Sequence, residues 1–163
     1  MKKFVLLILS LLFFFSPGII YGAENKFGIH ILEPSELEKA AELVNSTGGD
    51  WGYVTIVIRD DDLNPDKWQN FMDQCREIHL VPIIRIATHL EGENWAKPTS
   101  GDAQKWAEFL NSLNWPTEKQ HVIIFNEPNQ SKEWGGEVNP REYSHILSGF
   151  NEKLKMKNEK LFF

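Results

Sequence analysis

Short apolar runs alternate with amphipathic stretches along the chain, and this alternation sets the expected fold. Four runs are predicted to be buried strands because they are apolar, rich in β-branched residues and bounded by turn signals. They span 26–32, 53–59, 81–88 and 121–125. A stretch with apolar residues at helical spacing follows each run. The order is a strand followed by a helix, repeated four times, with no hairpin signal between them. This order predicts an α/β fold with a parallel sheet and right-handed crossovers.

Capping residues mark the expected starts of three helices. Ser35 is predicted to cap the first helix, with Glu38 three residues later completing a capping box. Asn64 is predicted to cap the second helix and Asn139 the fourth, each with a proline at the next position. The helices are therefore expected to begin at these points.

The first 23 residues have the pattern of an export signal. Two lysines precede an apolar run of about a dozen residues, and small residues follow it. An uncleaved membrane anchor is the alternative, because the apolar stretch is not far short of a span. Pro17-Gly18 and the small-residue exit favour cleavage. We expect a leader at 1–23, a mature domain at 24–163, and a secreted or extracytoplasmic location.

Charge and composition exclude several kinds of partner. The formal net charge is −6, and it becomes −8 once the leader removes two lysines. Such a domain repels nucleic acid and anionic membranes, so neither is an expected partner after signal cleavage. Cys75 is the one cysteine, which excludes a disulfide framework, and its place on an apolar helix stripe predicts a buried, unreactive thiol.

No cofactor and no metal are expected from the sequence. It contains no zinc-type His/Cys spacing, no phosphate loop and no dinucleotide glycine pattern. The acidic run Asp60-Asp61-Asp62 lacks the ligand spacing of a calcium loop, so a solvated turn is the expected structure.

The candidate chemistry lies where the fourth apolar run meets Asn126-Glu127-Pro128. The carboxyl ends of parallel strands meet at one edge of the sheet, and α/β proteins place their chemistry there. Glu127 is therefore expected at a site edge. The simpler interpretation, that the three residues cap a strand and begin a loop, stays open.

This motif, on the fourth strand and behind an export signal, resembles the clan A glycoside hydrolases, of which the family 5 cellulases are an example. The resemblance implies a (β/α)₈ TIM barrel and retaining hydrolysis of O-glycosidic bonds in a carbohydrate substrate. It implies that Glu127 is the general acid/base and that Asn126 contacts the sugar hydroxyl beside the reacting carbon. An arginine that contacts the carboxylates is implied at the end of the second strand, where Arg59 stands; Arg85, within the third strand, is the alternative.

Three more residues near the same edge are predicted to contact the sugar. His89, just past the third strand, is a candidate hydrogen-bond partner. Trp95 and Trp134 lie in the loops after the third and fourth strands, where exposed rings can stack on sugars. Trp51 and Trp115 precede strands, so they are assigned to the opposite, stability-related face. Each of the three candidates has a structural role as its alternative.

The expected fold is the amino-terminal half of a barrel, because four βα units are half of the usual eight and 161–163 begins like a fifth strand. A small complete open sheet is the alternative. Retaining hydrolysis needs a second carboxylate about 5–5.5 Å from the first, and no residue matches the family's nucleophile. The chain is thus predicted to be catalytically incomplete. Two further alternatives stay open: a non-catalytic carbohydrate-binding or interaction protein, and a homodimer that closes a barrel.

Overall fold

The computed structural model describes residues 25–157 and 160–162. Its strands are β1 (Gly28–His30), β2 (Gly52–Arg59), β3 (Leu80–Ala87), β4 (Leu90–Glu91), β5 (Asn94–Trp95), β6 (Gln120–Ile124) and β7 (Leu161–Phe162). Its α-helices are α1 (Leu37–Val44), α2 (Pro65–Glu77), α3 (Asp102–Ser112) and α4 (Pro140–Lys157). In this part of the chain β1, β2, β3, β6 and β7 form one parallel sheet in that order, and β4 and β5 form a separate antiparallel hairpin.

The predicted α/β class and the parallel sheet are confirmed, and the prediction that the chain has no hairpin is wrong. The hairpin β4–β5 lies in the long loop after β3, and two-residue strands are too short to leave an alternating pattern in the sequence. The predicted leader at 1–23 lies outside the described residues. Within the described ranges, no helix has both the length and the apolarity that a membrane crossing would need.

The two faces of the sheet have different environments. β2 and β3 pair in register over their full length, from Gly52 with Leu80 to Arg59 with Ala87. Residues on one face, such as Ile56 and Ile84, are fully buried beneath the helices. On the other face most side chains are half buried, Val81 and Ala87 are buried, and Arg59 is exposed. This second face and the loops at the carboxyl ends of its strands hold the candidate site.

The helix stripes predicted from periodicity form the core. The buried side chains of α2 are Trp68, Phe71, Met72 and Cys75. Cys75 is fully buried, and burial raises the pKa of its thiol to about 12. The expected burial of this cysteine is therefore confirmed.

Two of the three predicted caps are confirmed and one is wrong. The side chain of Asn64 accepts from the backbone N–H groups of the second and third residues of α2, at 3.0 and 3.2 Å. Asn139 accepts from the N–H of Glu142 at 3.1 Å. Ser35 does not cap α1. A 3₁₀ turn, Pro34–Glu36, precedes that helix, and Glu36 reaches back to accept from the N–H groups of the two residues before the turn at 2.7 and 3.0 Å.

Two tryptophans lie before the amino ends of strands. Trp51 directly precedes β2, and its ring stacks on His79 with 4.8 Å between centroids. Trp115 lies between α3 and β6, is buried, and donates its indole N–H to the carbonyl of Leu110 at 3.0 Å. Both occupy the end of the sheet away from Asn126 and Glu127, as expected from their order in the chain.

Candidate active site

The backbone after β6 departs from strand geometry at two non-glycine residues. Phe125 has φ 63° and Glu127 has φ 32°. Left-handed conformations at such residues are strained, and they persist where the surrounding packing holds them. The ring of Phe125 packs edge-to-face on Phe150 at 5.0 Å and on Trp134 at 5.9 Å, on the helix side of the sheet. The kink therefore breaks the strand alternation at the position where the motif begins.

As a result, Asn126 and Glu127 have different surroundings. The Oδ1 of Asn126 accepts a hydrogen bond from Nη1 of Arg85 at 3.0 Å, on the half-buried face of the sheet. Glu127 is exposed, and its Oε2 accepts from Nε2 of Gln130 at 2.8 Å. A general acid must hold its proton at the working pH, which burial and a second carboxylate favour. In the conformation described, Glu127 lacks that burial.

Of the two candidate arginines, Arg85 is the one that contacts the motif. It comes from the middle of β3 and is half buried. Its Nε is buried without a hydrogen-bond partner among the described residues. Arg59 instead is exposed and forms a bidentate pair with Asp61, at 2.9 and 3.1 Å. The family resemblance implies Arg59 first and Arg85 as its alternative, and of the two only Arg85 has a side-chain contact with the motif among the described residues.

A cleft of about 450 Å³ opens beside Arg85. Its lining residues are Leu32, Glu33, Pro34, Val57, Arg59, Asp62, Lys67, Trp68, Arg85 and Trp95. A smaller cavity next to it shares Arg85 and Trp95 and is also lined by Asn126 and Glu133. Arg85 and Trp95 thus join the two spaces, which we call together the Arg85 cleft. Neither lining set contains Glu127.

Trp95 is positioned by the hairpin that the sequence did not predict. It lies on β5, is half buried, and lines both parts of the Arg85 cleft. Its carbonyl accepts from the N–H of Gly135 at 2.9 Å, which joins the hairpin to the loop after β6. Gly135 has φ 64°, and a Cβ there would lie 3.2 Å from side-chain atoms of Lys97. This close approach explains the glycine. Stacking of Trp95 on a sugar stays a prediction.

The prediction that Trp134 offers an exposed ring is wrong. The side chain is fully buried, and its Nε1 donates to Oε2 of Glu142 at 3.0 Å. Lys97 forms an ion pair with the same oxygen at 3.1 Å and with Glu137 at 2.5 Å. The hydrogen bond from Lys97, and then that from Trp134, lower the pKa of Glu142. Trp134 therefore has a structural role, since a ring without exposed surface cannot stack on a sugar.

His89 connects two loops at the site edge. Its Nδ1 lies 3.0 Å from a carboxylate oxygen of Asp60, and its Nε2 lies 3.5 Å from one of Glu91. The hydrogen bond with Asp60 and the charge of Asp60 raise the pKa of His89. His89 lines neither part of the Arg85 cleft, so its predicted contact with a sugar stays a prediction.

Each of the three aspartates after β2 pairs with a different basic side chain. Asp60 contacts His89, Asp61 contacts Arg59, and Asp62 forms an ion pair with Lys67. Among the residues that the structure describes, no group of three or more His, Cys, Asp or Glu side chains could hold a metal ion.

Glu133 is a carboxylate of the site that sequence reasoning missed. It is half buried and lines the smaller part of the Arg85 cleft together with Asn126. Its position depends on the 3₁₀ turn Ser131–Glu133, which returns the loop against β5. No pattern in the sequence marks that return, because the turn is only three residues long.

Comparison with known proteins gives one informative likeness. No family model matches the sequence, and no curated protein matches it. Among solved structures, the chain is similar to a GH39 β-xylosidase from Caulobacter crescentus, with a TM-score of 0.60 and 13% sequence identity. The fold is glycoside hydrolase-like. The match covers 88% of this chain and 41% of that chain, so the sequence spans about two fifths of the length of that enzyme.

This likeness supports part of the resemblance drawn from the Asn-Glu-Pro motif. GH39 belongs to clan A, so the likeness agrees with the clan and does not point to family 5. At 13% identity it shows a distant, partial TIM-barrel-like fold and leaves activity and substrate to be argued from the site.

Proposed function

We propose that this chain forms the acid/base side of a glycoside hydrolase-like site that cleaves O-glycosidic bonds of an oligosaccharide or polysaccharide with retention. One observation carries the proposal. Asn126 and Glu127 follow β6 at the carboxyl edge of a glycoside hydrolase-like sheet, and Asn126 contacts Arg85 on the floor of a cleft walled by Trp95.

In this proposal Glu127 protonates the oxygen of the departing sugar as a carboxylate nucleophile attacks the anomeric carbon. The resulting carboxylate of Glu127 then takes a proton from the water that releases the glycosyl group, and the acid is regenerated. In this proposal the nucleophile is a carboxylate supplied by the rest of the barrel, because the match covers only 41% of the similar enzyme. Glu127 must also exchange its contact with Gln130 for a position facing the Arg85 cleft, which requires rotation of an exposed side chain.

The test measures turnover of two substrates by the whole protein that contains this sequence together with the nucleophile, with and without the substitution Glu127→Gln. A xylobiose or cellobiose bond has a poor leaving group that needs a proton, whereas a nitrophenyl glycoside releases a stable anion without one. Glu127→Gln is expected to lose turnover of the disaccharide by at least about a hundredfold and to retain more activity on the aryl glycoside. Glu118→Gln, an exposed glutamate near the other end of β6, is the matched control. Equal effects of the two substitutions would contradict the role of Glu127.

A second candidate function is non-catalytic carbohydrate binding. The observation that favours it is that Glu127 is exposed and outside the Arg85 cleft, whereas Trp95 lines it. This candidate predicts that the chain binds saccharides without turnover and that Trp95→Ala removes the binding. Turnover that disappears in Glu127→Gln would exclude it.

Export and pairing are separate proposals. We propose that residues 1–23 direct export and are removed, which fusion of that segment to a reporter enzyme and amino-terminal sequencing of the released reporter would test. Full retention of the reporter inside the cell would count against export. The pairing of two copies into a closed barrel stays a prediction, and sedimentation that finds only monomers at working concentration would exclude it.

A further inference from the structure

The imidazole of His89 lies between two carboxylates that belong to different parts of the fold. Its Nδ1 is 3.0 Å from Oδ1 of Asp60, in the loop after β2, and its Nε2 is 3.5 Å from Oε1 of Glu91, on β4. A neutral imidazole carries one N–H, and ionised carboxylates only accept hydrogen bonds. The protonated ring, with an N–H on both nitrogens, is therefore the form that interacts favourably with both partners at once.

Asp60 is the fixed side of this contact. Its backbone N–H donates to the carbonyl of Ala87, at the end of β3, at 2.9 Å, and its own carbonyl accepts from Nζ of Lys105, on α3, at 2.8 Å. The side chain of Asp60 is 13% exposed. The ammonium of Lys105 is thus directed to the backbone of Asp60, and the carboxylate of Asp60 is held in place for His89.

The hairpin β4–β5 is the less constrained side. Its strands have two residues each, and a ribbon of that size is marginally stable alone. Both residues of β4 are exposed. The N–H of Ala96 closes the base of the hairpin by donating to the carbonyl of His89 at 2.8 Å. The position of the hairpin therefore depends on contacts outside its own ladder, and the contact between His89 and Asp60 is one of them.

The two elements that His89 joins supply different parts of the lining of the Arg85 cleft. Trp95 lies on β5, so it moves with the hairpin. Arg59 and Asp62, at the end of β2 and in the loop after it, line the larger part of the same cleft. Loss of the contact made by His89 would therefore release Trp95 relative to the rest of the lining.

We propose that His89 is a positioning residue whose protonated ring holds the hairpin β4–β5 against the loop after β2 and thereby fixes Trp95 at the Arg85 cleft. The hydrogen bond with Asp60 and the charge of Asp60 raise the pKa of His89, and Glu91 adds to this effect. The hairpin is therefore held fully at pH values below the ordinary 6.5 and is released as the pH rises through the raised pKa. The consequence for saccharide binding rests on the proposed carbohydrate function, whereas the restraint on the hairpin does not.

Hydrogen exchange measured by NMR tests the inference on two backbone amides of the whole protein that contains this sequence. The N–H of Ala96 reports on the base of the hairpin, and the N–H of Gly135 reports on Trp95, whose carbonyl it contacts. Protection factors, which correct for the intrinsic effect of pH on exchange, are compared at about pH 5.5 and about pH 8, on either side of the ordinary pKa of histidine. An exposed ion pair stabilises weakly, so both protection factors are expected to fall about two- to fivefold at the higher pH. Binding of xylobiose and cellobiose, measured by calorimetry at the same two pH values, is expected to weaken by at most the same factor.

Three variants decide whether His89 is responsible. His89→Gln keeps a hydrogen-bond donor that does not titrate, so the change of protection with pH is expected to disappear. Asp60→Asn removes the anion and is expected to reduce the change. His79→Gln is the matched control, because His79 pairs with an aspartate in the same way, at 2.8 Å, but directly before the amino end of β3. This control is expected to keep the full change.

The outcomes separate this inference from the proposed function. Protection that does not change with pH, or that changes equally in His89→Gln, would overturn the role of His89. If protection changes as expected but neither disaccharide binds at either pH, the carbohydrate function fails and the restraint on the hairpin stands. Disaccharide binding that weakens with pH in the unsubstituted protein and not in His89→Gln would support both.

Discussion

Trp134 and Trp95 were predicted to share a role, and the structure separates them. Trp134 is 0% exposed and contacts Phe125, Tyr143 and Glu142, whereas Trp95 is half buried and lines the Arg85 cleft. Truncation of each side chain to alanine should therefore affect different properties. We expect Trp134→Ala to destabilise the fold and Trp95→Ala to weaken saccharide binding.

The magnitude for Trp134 follows from its burial. A tryptophan buries about 150–250 Å², and at about 25 cal/mol per Å² this area corresponds to roughly 4–6 kcal/mol. Measured losses for such truncations in protein cores are about 3–5 kcal/mol. In a chain of this length, each kcal/mol lowers the melting temperature by about 2–4 °C, so the expected decrease is on the order of 10 °C. Trp95→Ala should lose no more than about half as much stability.

The assay combines thermal unfolding with saccharide binding on the same preparations. Trp134→Ala should melt early and, at temperatures where it is folded, bind saccharide nearly as wild type does. Trp95→Ala should melt close to wild type and bind weakly. A Trp134→Ala variant that melts like wild type but no longer binds would refute the assignment, because that outcome requires an exposed ring in contact with the ligand.

Three other predictions follow from single contacts. The hydrogen bond with Asp60 raises the pKa of His89 above its ordinary value of 6.5. The pair therefore contributes its full stabilisation at pH values below 6.5, and this contribution is lost as the pH rises through the raised pKa. NMR titration should show a lower pKa of His89 in the variant Asp60→Asn than in the unsubstituted protein. Asn64→Ala should cost about 1 kcal/mol in chemical unfolding, whereas Ser35→Ala should cost little, and equal losses would contradict the cap assignment. Cys75 should react with a thiol reagent only after denaturation, since it is buried and its pKa is raised to about 12; rapid reaction of the folded protein would disprove this.

The strained backbone after β6 links these observations to function. Positive φ at Phe125 and Glu127 is costly, roughly 1–3 kcal/mol at each residue, and such strain often accompanies sites. Here the packing of Phe125 on Phe150 holds the kink, and the kink places Asn126 on the Arg85 side. The strained backbone therefore brings Asn126 into contact with Arg85 at the carboxyl edge of the sheet, where the chemistry is proposed.

Local pattern determined much of this protein. Several features follow from residues that are close together in the sequence. They are the order of strands and helices, the apolar helix stripe that contains Cys75, and the helix caps at Asn64 and Asn139. Such features are encoded locally, because helix caps and the periodicity of apolar residues involve near neighbours in the sequence. The motif Asn126-Glu127 was also located correctly, at the carboxyl end of a parallel strand.

Only the tertiary structure decided what the side chains at that edge contact. Arg85 donates a hydrogen bond to Asn126, which lies 41 residues later in the sequence, and Lys97 donates one to Glu137, which lies 40 residues later. The second contact belongs to the network that closes over Trp134 and buries its ring. No local rule predicts these pairings, because burial depends on which distant segments pack together and on a backbone kink that reverses the strand's alternation. The sequence by itself therefore placed the candidate motif. The packing determined that Arg85 rather than Arg59 contacts it, and that Trp95 rather than Trp134 lines the cleft beside it.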